Sequence, residues 1–75
     1  MEGLLELLEE VRDDVDFANC TDLVDGNVLT SFDILQIINM IDEEYDVAIP
    51  ATEIIPANFN SVQAISDMIQ RLMED

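Results

Sequence analysis

Apolar residues recur every three or four positions at the start of the chain, which is the spacing that buries one face of a helix. The stripe between Gly3 and Val15 consists of Leu4, Leu8, Val11 and Val15, widened by Leu5 and Leu7. The opposite face is acidic and consists of Glu6, Glu9, Glu10, Asp13 and Asp14. We therefore predict a first helix over residues 3–15, with one face in a core and the other in water.

The helical period stops between Asp16 and Thr30, where Asp25-Gly26-Asn27 is a turn signal. The scattered apolar residues of this segment are spaced like anchors that pin a loop to a core, and they are Phe17, Leu23, Val28 and Leu29. The segment is near the upper end of ordinary loop lengths. We therefore predict a long loop that is functional or contains a short helical turn.

The second helix is the clearest prediction, because five bulky apolar residues share one face. They are Ile34, Ile37, Ile38, Ile41 and Tyr45. Either Thr30 or Ser31 can cap its start by accepting a hydrogen bond from a backbone N–H of the first turn. Pro50 stops the helix, and the β-branched Val47 and Ile49 predict an extended exit.

The remaining third of the chain predicts a short element and a last helix. The segment between Ala51 and Phe59 has room for one helical turn. Asn60 with Gln63 resembles a capping box, and Ser61 is the competing cap. The helix that follows uses Val62, Ile65, Met68, Ile69 and Leu72. The predicted fold is all-α: a single domain over residues 1–75, a small bundle of three main helices plus one short helix, with a long loop between helices one and two.

Charge narrows the possible partners. Eighteen acidic side chains face only Arg12 and Arg71, which gives a net charge of −16, and these arginines should neutralise neighbouring acids. Such a surface repels nucleic acid and anionic lipid and attracts basic protein patches. No apolar run approaches the roughly 20 residues that span a bilayer, and residues 1–6 carry acid where a secretory signal carries Lys or Arg. We expect a soluble, cytoplasmic monomer that binds neither nucleic acid nor membrane.

Composition also leaves little room for catalysis or metal binding. The chain has no histidine and no lysine, so no serine has a neighbouring base, and Cys20 alone cannot form an internal disulfide or a zinc site. Aligning Gly26 with the glycine of a calcium loop places Leu23 and Phe32 at ligand positions. Paired carboxylates such as Asp13 and Asp14 are expected to be solubilising charge. We expect no enzymatic activity, no catalytic residue and no metal.

Ser31 lies in the run Leu29-Thr30-Ser31-Phe32-Asp33, where an acidic loop meets the strongly apolar second helix. Residues 22–50, DLVDGNVLTSFDILQIINMIDEEYDVAIP, resemble the central segment of acyl carrier proteins and of the related peptidyl and D-alanyl carrier domains. The acidic-aromatic end of helix two, residues 42–46, and the start of the last helix, residues 60–65, are similar to the same family. Thr30 stands where the family has Asp, and Phe32 where it has Leu.

The resemblance implies that a phosphopantetheinyl transferase attaches 4′-phosphopantetheine from coenzyme A to Ser31. The thiol of that arm would carry an acyl or aminoacyl group as a thioester. In the family the Asp before the serine helps the transferase hold the carrier and its magnesium, and Asp33 lies within reach to compensate. A carrier loaded by an adenylating ligase is favoured over one for fatty acid synthesis, since the stiff isoleucine face disfavours a large internal cavity.

The family contacts its loading ligases and synthases, which carry basic docking patches, through the face of helix two that is turned away from the core. Here that face is predicted to contain Phe32, Asp33, Leu35, Gln36, Asn39, Met40 and Glu43. Its acids predict fast, salt-sensitive, transient encounters. The alternative function is an unmodified acidic helical adaptor that binds a basic protein partner, in which Ser31 only caps the helix.

Overall fold

The computed structural model describes residues 3–74, and the regular structure of this range is helical. The elements in chain order are α1 (Leu4–Val11), α2 (Ser31–Tyr45), a 3₁₀ turn (Ala51–Glu53), α3 (Pro56–Phe59) and α4 (Val62–Glu74). These elements confirm the prediction of an all-α fold with three main helices and one short one. Within residues 3–74, every helix is too short or too polar to cross a bilayer. The expectations for Met1 and Glu2 as the start of the chain, and for Asp75 as the end of the domain, lie outside the described residues.

The three main helices enclose one apolar core. α1 packs against α2 and α4, and α3 packs against α4. The buried apolar side chains are Leu4, Leu7, Leu8, Phe17, Leu23, Leu29, Ile37, Ile41, Val47, Phe59, Ile65, Met68 and Ile69. The predicted isoleucine face of α2 does face this core: Ile37 and Ile41 are buried, while Ile34, Ile38 and Tyr45 are half-buried around them.

α1 ends four residues earlier than predicted, at Val11. Arg12 leaves the helix in an extended conformation (φ −142°, ψ 106°), although its N–H still bonds to the Leu8 carbonyl. The last turn contains no basic residue, and acidic side chains near a helix C-terminus oppose the helix dipole. Val15 still packs against the core, but from the loop. The apolar spacing therefore predicted which residues are buried and overestimated how far the helix continues.

The segment between α1 and α2 is anchored as predicted, by the buried Phe17, Leu23 and Leu29. It contains two single helical turns, closed by bonds from the N–H of Cys20 to the Asp16 carbonyl (3.1 Å) and from the N–H of Gly26 to the Asp22 carbonyl (2.6 Å). A Cβ at position 26 would lie 2.7 Å from the Asp22 carbonyl oxygen. The second turn therefore requires glycine at that position.

The sequence left Asn60 and Ser61 as competing caps of the last helix. The structure assigns the cap to Ser61, since its Oγ accepts from the N–H of Ala64 at 3.0 Å. The Asn60 side chain instead binds the long loop: its Oδ1 accepts from the N–H groups of Val24 and Asp25, both at 3.0 Å. The Asn60 carbonyl also accepts from the N–H of Leu23 at 2.9 Å. Asn60 therefore joins the end of α3 to the loop that leads to α2.

Candidate functional site

Ser31 is the first residue of the fifteen-residue helix α2, and its side chain is exposed. The sequence left open whether Thr30 or Ser31 caps this helix, and the structure assigns the cap to Thr30. Thr30 is extended (φ −91°, ψ 169°), and its Oγ1 accepts from the N–H of Asp33 at 3.2 Å. Among residues 3–74, the Ser31 hydroxyl has no hydrogen-bond partner. The fold therefore does not use this hydroxyl.

Asp33 completes a capping box with Thr30. Its Oδ2 accepts from the Thr30 N–H at 3.0 Å and from Arg12 Nη1 at 2.7 Å, and the residue is only 6% exposed. Burial disfavours its charged form, but the hydrogen bonds from Thr30 and Arg12 outweigh that cost and hold the pKa of Asp33 below its usual value. The predicted placement of Asp33 on the outward face is therefore wrong. Its Oδ2 is engaged by Thr30 and Arg12 and its side chain is only 9% exposed, so it is not displayed on the outward face beside Ser31.

Arg12 holds the Asp33 carboxylate from the far side of the loop. Its Nε and Nη2 form a bidentate pair with Asp14 at 2.9 and 3.0 Å, and its Nη1 also donates to the Val28 carbonyl at 3.3 Å. The hydrogen bonds to Asp14 and then to Asp33 raise the pKa of Arg12 above its usual value. Arg71 of α4 pairs with Glu53 at 2.8 Å. The prediction that both arginines neutralise acids is confirmed.

The sequence analysis missed the link between Arg12 and the start of α2. The spacing Thr30-x-x-Asp33 is close to the capping-box pattern and could have predicted the hydrogen bonds between these two residues. The contact with Arg12 joins positions 21 apart in the sequence. Residue spacing carries no signal for a contact that depends on how the intervening loop folds.

The outward face of α2 is apolar near Ser31 and acidic at its other end. Phe32 is 65% exposed and Leu35 is 57% exposed, and side chains three apart on a helix are neighbours. Asn39 and Glu43 are exposed as predicted, whereas Gln36 and Met40 are half-buried, and Met40 packs against the core. The exposed acids at the end of the helix are Asp42, Glu43, Glu44 and Asp46.

A small apolar pocket lies between α2 and the segment that contains α3. Its volume is about 160 Å³, and it is lined by Val24, Ile34, Ile54, Ile55, Pro56 and Phe59. Ile34 is one helical turn from Ser31, so the pocket is near the start of α2. A cavity of roughly 150 Å³ accommodates a molecule of the size of benzene. The pocket therefore fits a small apolar group, in keeping with the expectation that the isoleucine face leaves little internal space.

Cys20 lies on the long loop and is half-buried. Its thiol donates to Asp22 Oδ1 at 3.2 Å.

No protein-family model matches the chain, and no curated protein and no solved structure matches it.

Proposed function

We propose that this protein is a carrier protein, with 4′-phosphopantetheine attached to Ser31 and an acyl or aminoacyl group held on that arm as a thioester. The observation that carries the proposal is the separation of Ser31 from the helix cap. Thr30 Oγ1 accepts the capping hydrogen bond from Asp33, and the exposed Ser31 hydroxyl stays unengaged among the described residues. Because the Ser31 oxygen does not take part in the capping hydrogen bond, it can be esterified without loss of the cap.

The charges around Ser31 are compatible with an attached phosphodiester. Backbone N–H groups at a helix start favour a nearby anion, and those of Ser31 and Phe32 have no partner within residues 3–74. The nearest carboxylate in the helix, Asp33, is paired with Arg12 at 2.7 Å. In a chain of net charge −16, the start of α2 is thus a place where an added negative charge meets a favourable field.

The chain contributes an acceptor hydroxyl, and the transferase contributes the catalysis. The Ser31 oxygen forms the new phosphoester bond, the pyrophosphate linkage of coenzyme A breaks with release of adenosine 3′,5′-bisphosphate, and a base of the transferase takes the serine proton. The arm supplies a terminal thiol for thioester formation. No enzymatic activity of the chain itself is proposed, since it has no histidine or lysine to act as a base beside Ser31.

The outward face of α2 supports docking by partner enzymes in two chemically different zones. Phe32 and Leu35 offer an apolar contact beside Ser31. The exposed acids at the other end of the helix suit a basic patch, and Glu43 belongs to that group. The partners proposed are the transferase and an acyl- or aminoacyl-loading ligase or synthase.

The pocket beside α2 bears on the class of cargo. Its volume of about 160 Å³ is below the roughly 300–1,000 Å³ of ordinary ligand pockets. A pocket of this volume is too small to enclose a long acyl chain. The pocket therefore supports a small cargo, such as an aminoacyl or short acyl group loaded by an adenylating ligase.

The test is the intact mass of the full chain after incubation with coenzyme A, magnesium and a broad-specificity phosphopantetheinyl transferase. The wild-type chain should gain the mass of one phosphopantetheinyl group, and Ser31→Ala should gain nothing. Ser61→Ala is the matched control, because it also removes a serine at a helix start and should still be modified. A wild-type chain that several transferases leave unmodified would contradict the carrier proposal and favour the acidic adaptor.

A further inference from the structure

Arg12 connects three parts of the chain that meet at the start of α2. It lies just after α1, and its Nη1 donates to both Asp33 Oδ2 (2.7 Å) and the Val28 carbonyl (3.3 Å). The same Asp33 oxygen accepts from the Thr30 N–H at 3.0 Å. The guanidinium that fixes Asp33 therefore also fixes the backbone of Thr30, the residue directly before Ser31.

The largely buried position of Asp33 makes this contact favourable. A carboxylate whose side chain is 9% exposed is poorly hydrated and is stabilised by a cation or by hydrogen-bond donors. Arg12 is the cation that the structure supplies, and its other edge is held by Asp14. Without Arg12, the Asp33 carboxylate keeps only the Thr30 N–H as a donor within residues 3–74, and turning towards solvent would recover hydration. Turning outward would open the capping box and release the first turn of α2.

We infer that Arg12 is a positioning residue for the modification of Ser31, because it holds Asp33 in the capping box that fixes the backbone of the first turn, where Ser31 lies. This inference rests on the proposed carrier function. Arg12 need not contact the transferase or the phosphate, since its Nε, Nη1 and Nη2 already donate to groups of this chain. Its effect on Ser31 passes through Asp33 and Thr30.

Arg71 provides a matched control. Substituting either arginine with glutamine removes one positive charge and takes the net charge from −16 to −17. Arg71 is on α4, its side chain is 53% exposed compared with 29% for Arg12, and its partner is Glu53. A comparison of Arg12→Gln with Arg71→Gln therefore separates the local effect at the start of α2 from the effect of overall charge.

The experiment measures kcat/KM of a transferase for the unmodified full chain and its variants by intact mass, after circular dichroism has established that each is helical. Arg12→Gln should lower kcat/KM by about tenfold or more, since small misplacements of a reacting group have effects of that size. Arg71→Gln should stay within about twofold of wild type, a change within the modest effect expected of an exposed ion pair. Arg12→Lys keeps a cation for Asp33 and should recover part of the loss.

A double variant identifies the route of the effect. In Arg12→Gln with Asp33→Asn, no unpaired buried charge is left, and the asparagine oxygen can still accept from the Thr30 N–H. This variant should be modified faster than Arg12→Gln alone. Equal rates for the Arg12 and Arg71 variants, or no recovery in the double variant, would overturn the inference.

Carboxyl NMR titration and amide exchange of the unmodified chain keep this inference distinct from the proposed function. In Arg12→Gln the pKa of Asp33 should rise, as should that of Asp14, which shares the guanidinium and whose pKa its hydrogen bond lowers. The amide of Asp33 should also exchange faster. If the wild-type chain gains no mass, the carrier proposal fails, whereas unchanged Asp33 titration and exchange in Arg12→Gln would show that Arg12 does not hold the first turn.

Discussion

At the start of α2, helix capping and the proposed attachment of the arm fall to different residues. Thr30 and Asp33 form the cap, and Ser31 is the proposed attachment point. A capping hydroxyl oxygen must accept a hydrogen bond from the first turn. An oxygen that is also esterified is a weaker and more crowded acceptor. Because Thr30 takes the capping role and Asp33 returns a bond to the Thr30 N–H, Ser31 can carry a substituent while the helix start stays intact.

Removal of the cap should destabilise the protein more than removal of the proposed attachment point. Thr30→Ala deletes the acceptor of the Asp33 N–H and should lower the free energy of unfolding by about 1 kcal/mol. Ser31→Ala deletes a hydroxyl one position later and should change it by less than about 0.5 kcal/mol. Urea denaturation followed by circular dichroism measures both. Equal losses would mean that Ser31 also supports the helix start.

The residues at this site differ in how far the sequence predicts them. Ser31 stands out in the sequence by its position and by the family resemblance, and the structure places it, exposed, at the first position of α2. Asp33 was placed on the outward face because helical spacing alone puts it there. Its burial follows from the contact with Arg12 across a long loop, and the course of that loop depends on packing rather than on residue spacing.

The helices show the same division between local and distant determinants. Strong apolar periodicity predicted α2 and α4 well, because the buried face and the capping residues are local features. The pattern around α1 continued through Val15, but periodicity reports which side chains are buried and not where hydrogen bonding ends. The spacing of Asn60 and Gln63 made Asn60 one of two candidate caps, whereas its partners are loop residues 23–25.

The contact between Asn60 and the loop should be a measurable part of the stability of the fold. Asn60→Ala removes two hydrogen bonds accepted from Val24 and Asp25 and one donated to Asp25 Oδ2. At about 1 kcal/mol for each bond, reduced at the exposed Asp25, we expect a loss of roughly 2 kcal/mol in the free energy of unfolding. Hydrogen exchange at the amides of Val24 and Asp25 should also accelerate.

Asn39→Ala is the control for that experiment, since it removes the same side chain from an exposed position on α2. It should leave both the unfolding free energy and the exchange of the loop amides nearly unchanged. If Asn60→Ala behaves like Asn39→Ala, the Asn60 side chain does not contribute to holding the loop.

Electrostatic repulsion acts across the whole molecule, because the chain is small and its net charge is −16. The chain has eighteen acids and two arginines, and the structure has extents of 31 × 23 × 20 Å. Both arginines are engaged in ion pairs, with Asp14 and Asp33 for Arg12 and with Glu53 for Arg71. Most acids within residues 3–74 therefore have no arginine as a partner. The mutual repulsion of the acids opposes folding, and their negative charge attracts basic partners.

Added salt should therefore stabilise the protein, although salt usually weakens ion pairs. The Debye length is about 30 Å at 0.01 M salt, which is the length of the whole molecule, and about 8 Å at 0.15 M. Salt therefore screens the repulsion among the many acids and also weakens the ion pairs of the two arginines. We expect the relief of repulsion to be the larger of these two effects on stability. We expect Tm at pH 7 to rise between these salt concentrations by several degrees, as about 1 kcal/mol would produce in a domain of this size.

Sodium and potassium chloride should act alike in thermal unfolding, because screening depends on ionic strength. A Tm that falls would mean that the Arg12 and Arg71 pairs outweigh the repulsion, and a rise confined to divalent salts would indicate bound cations instead of screening.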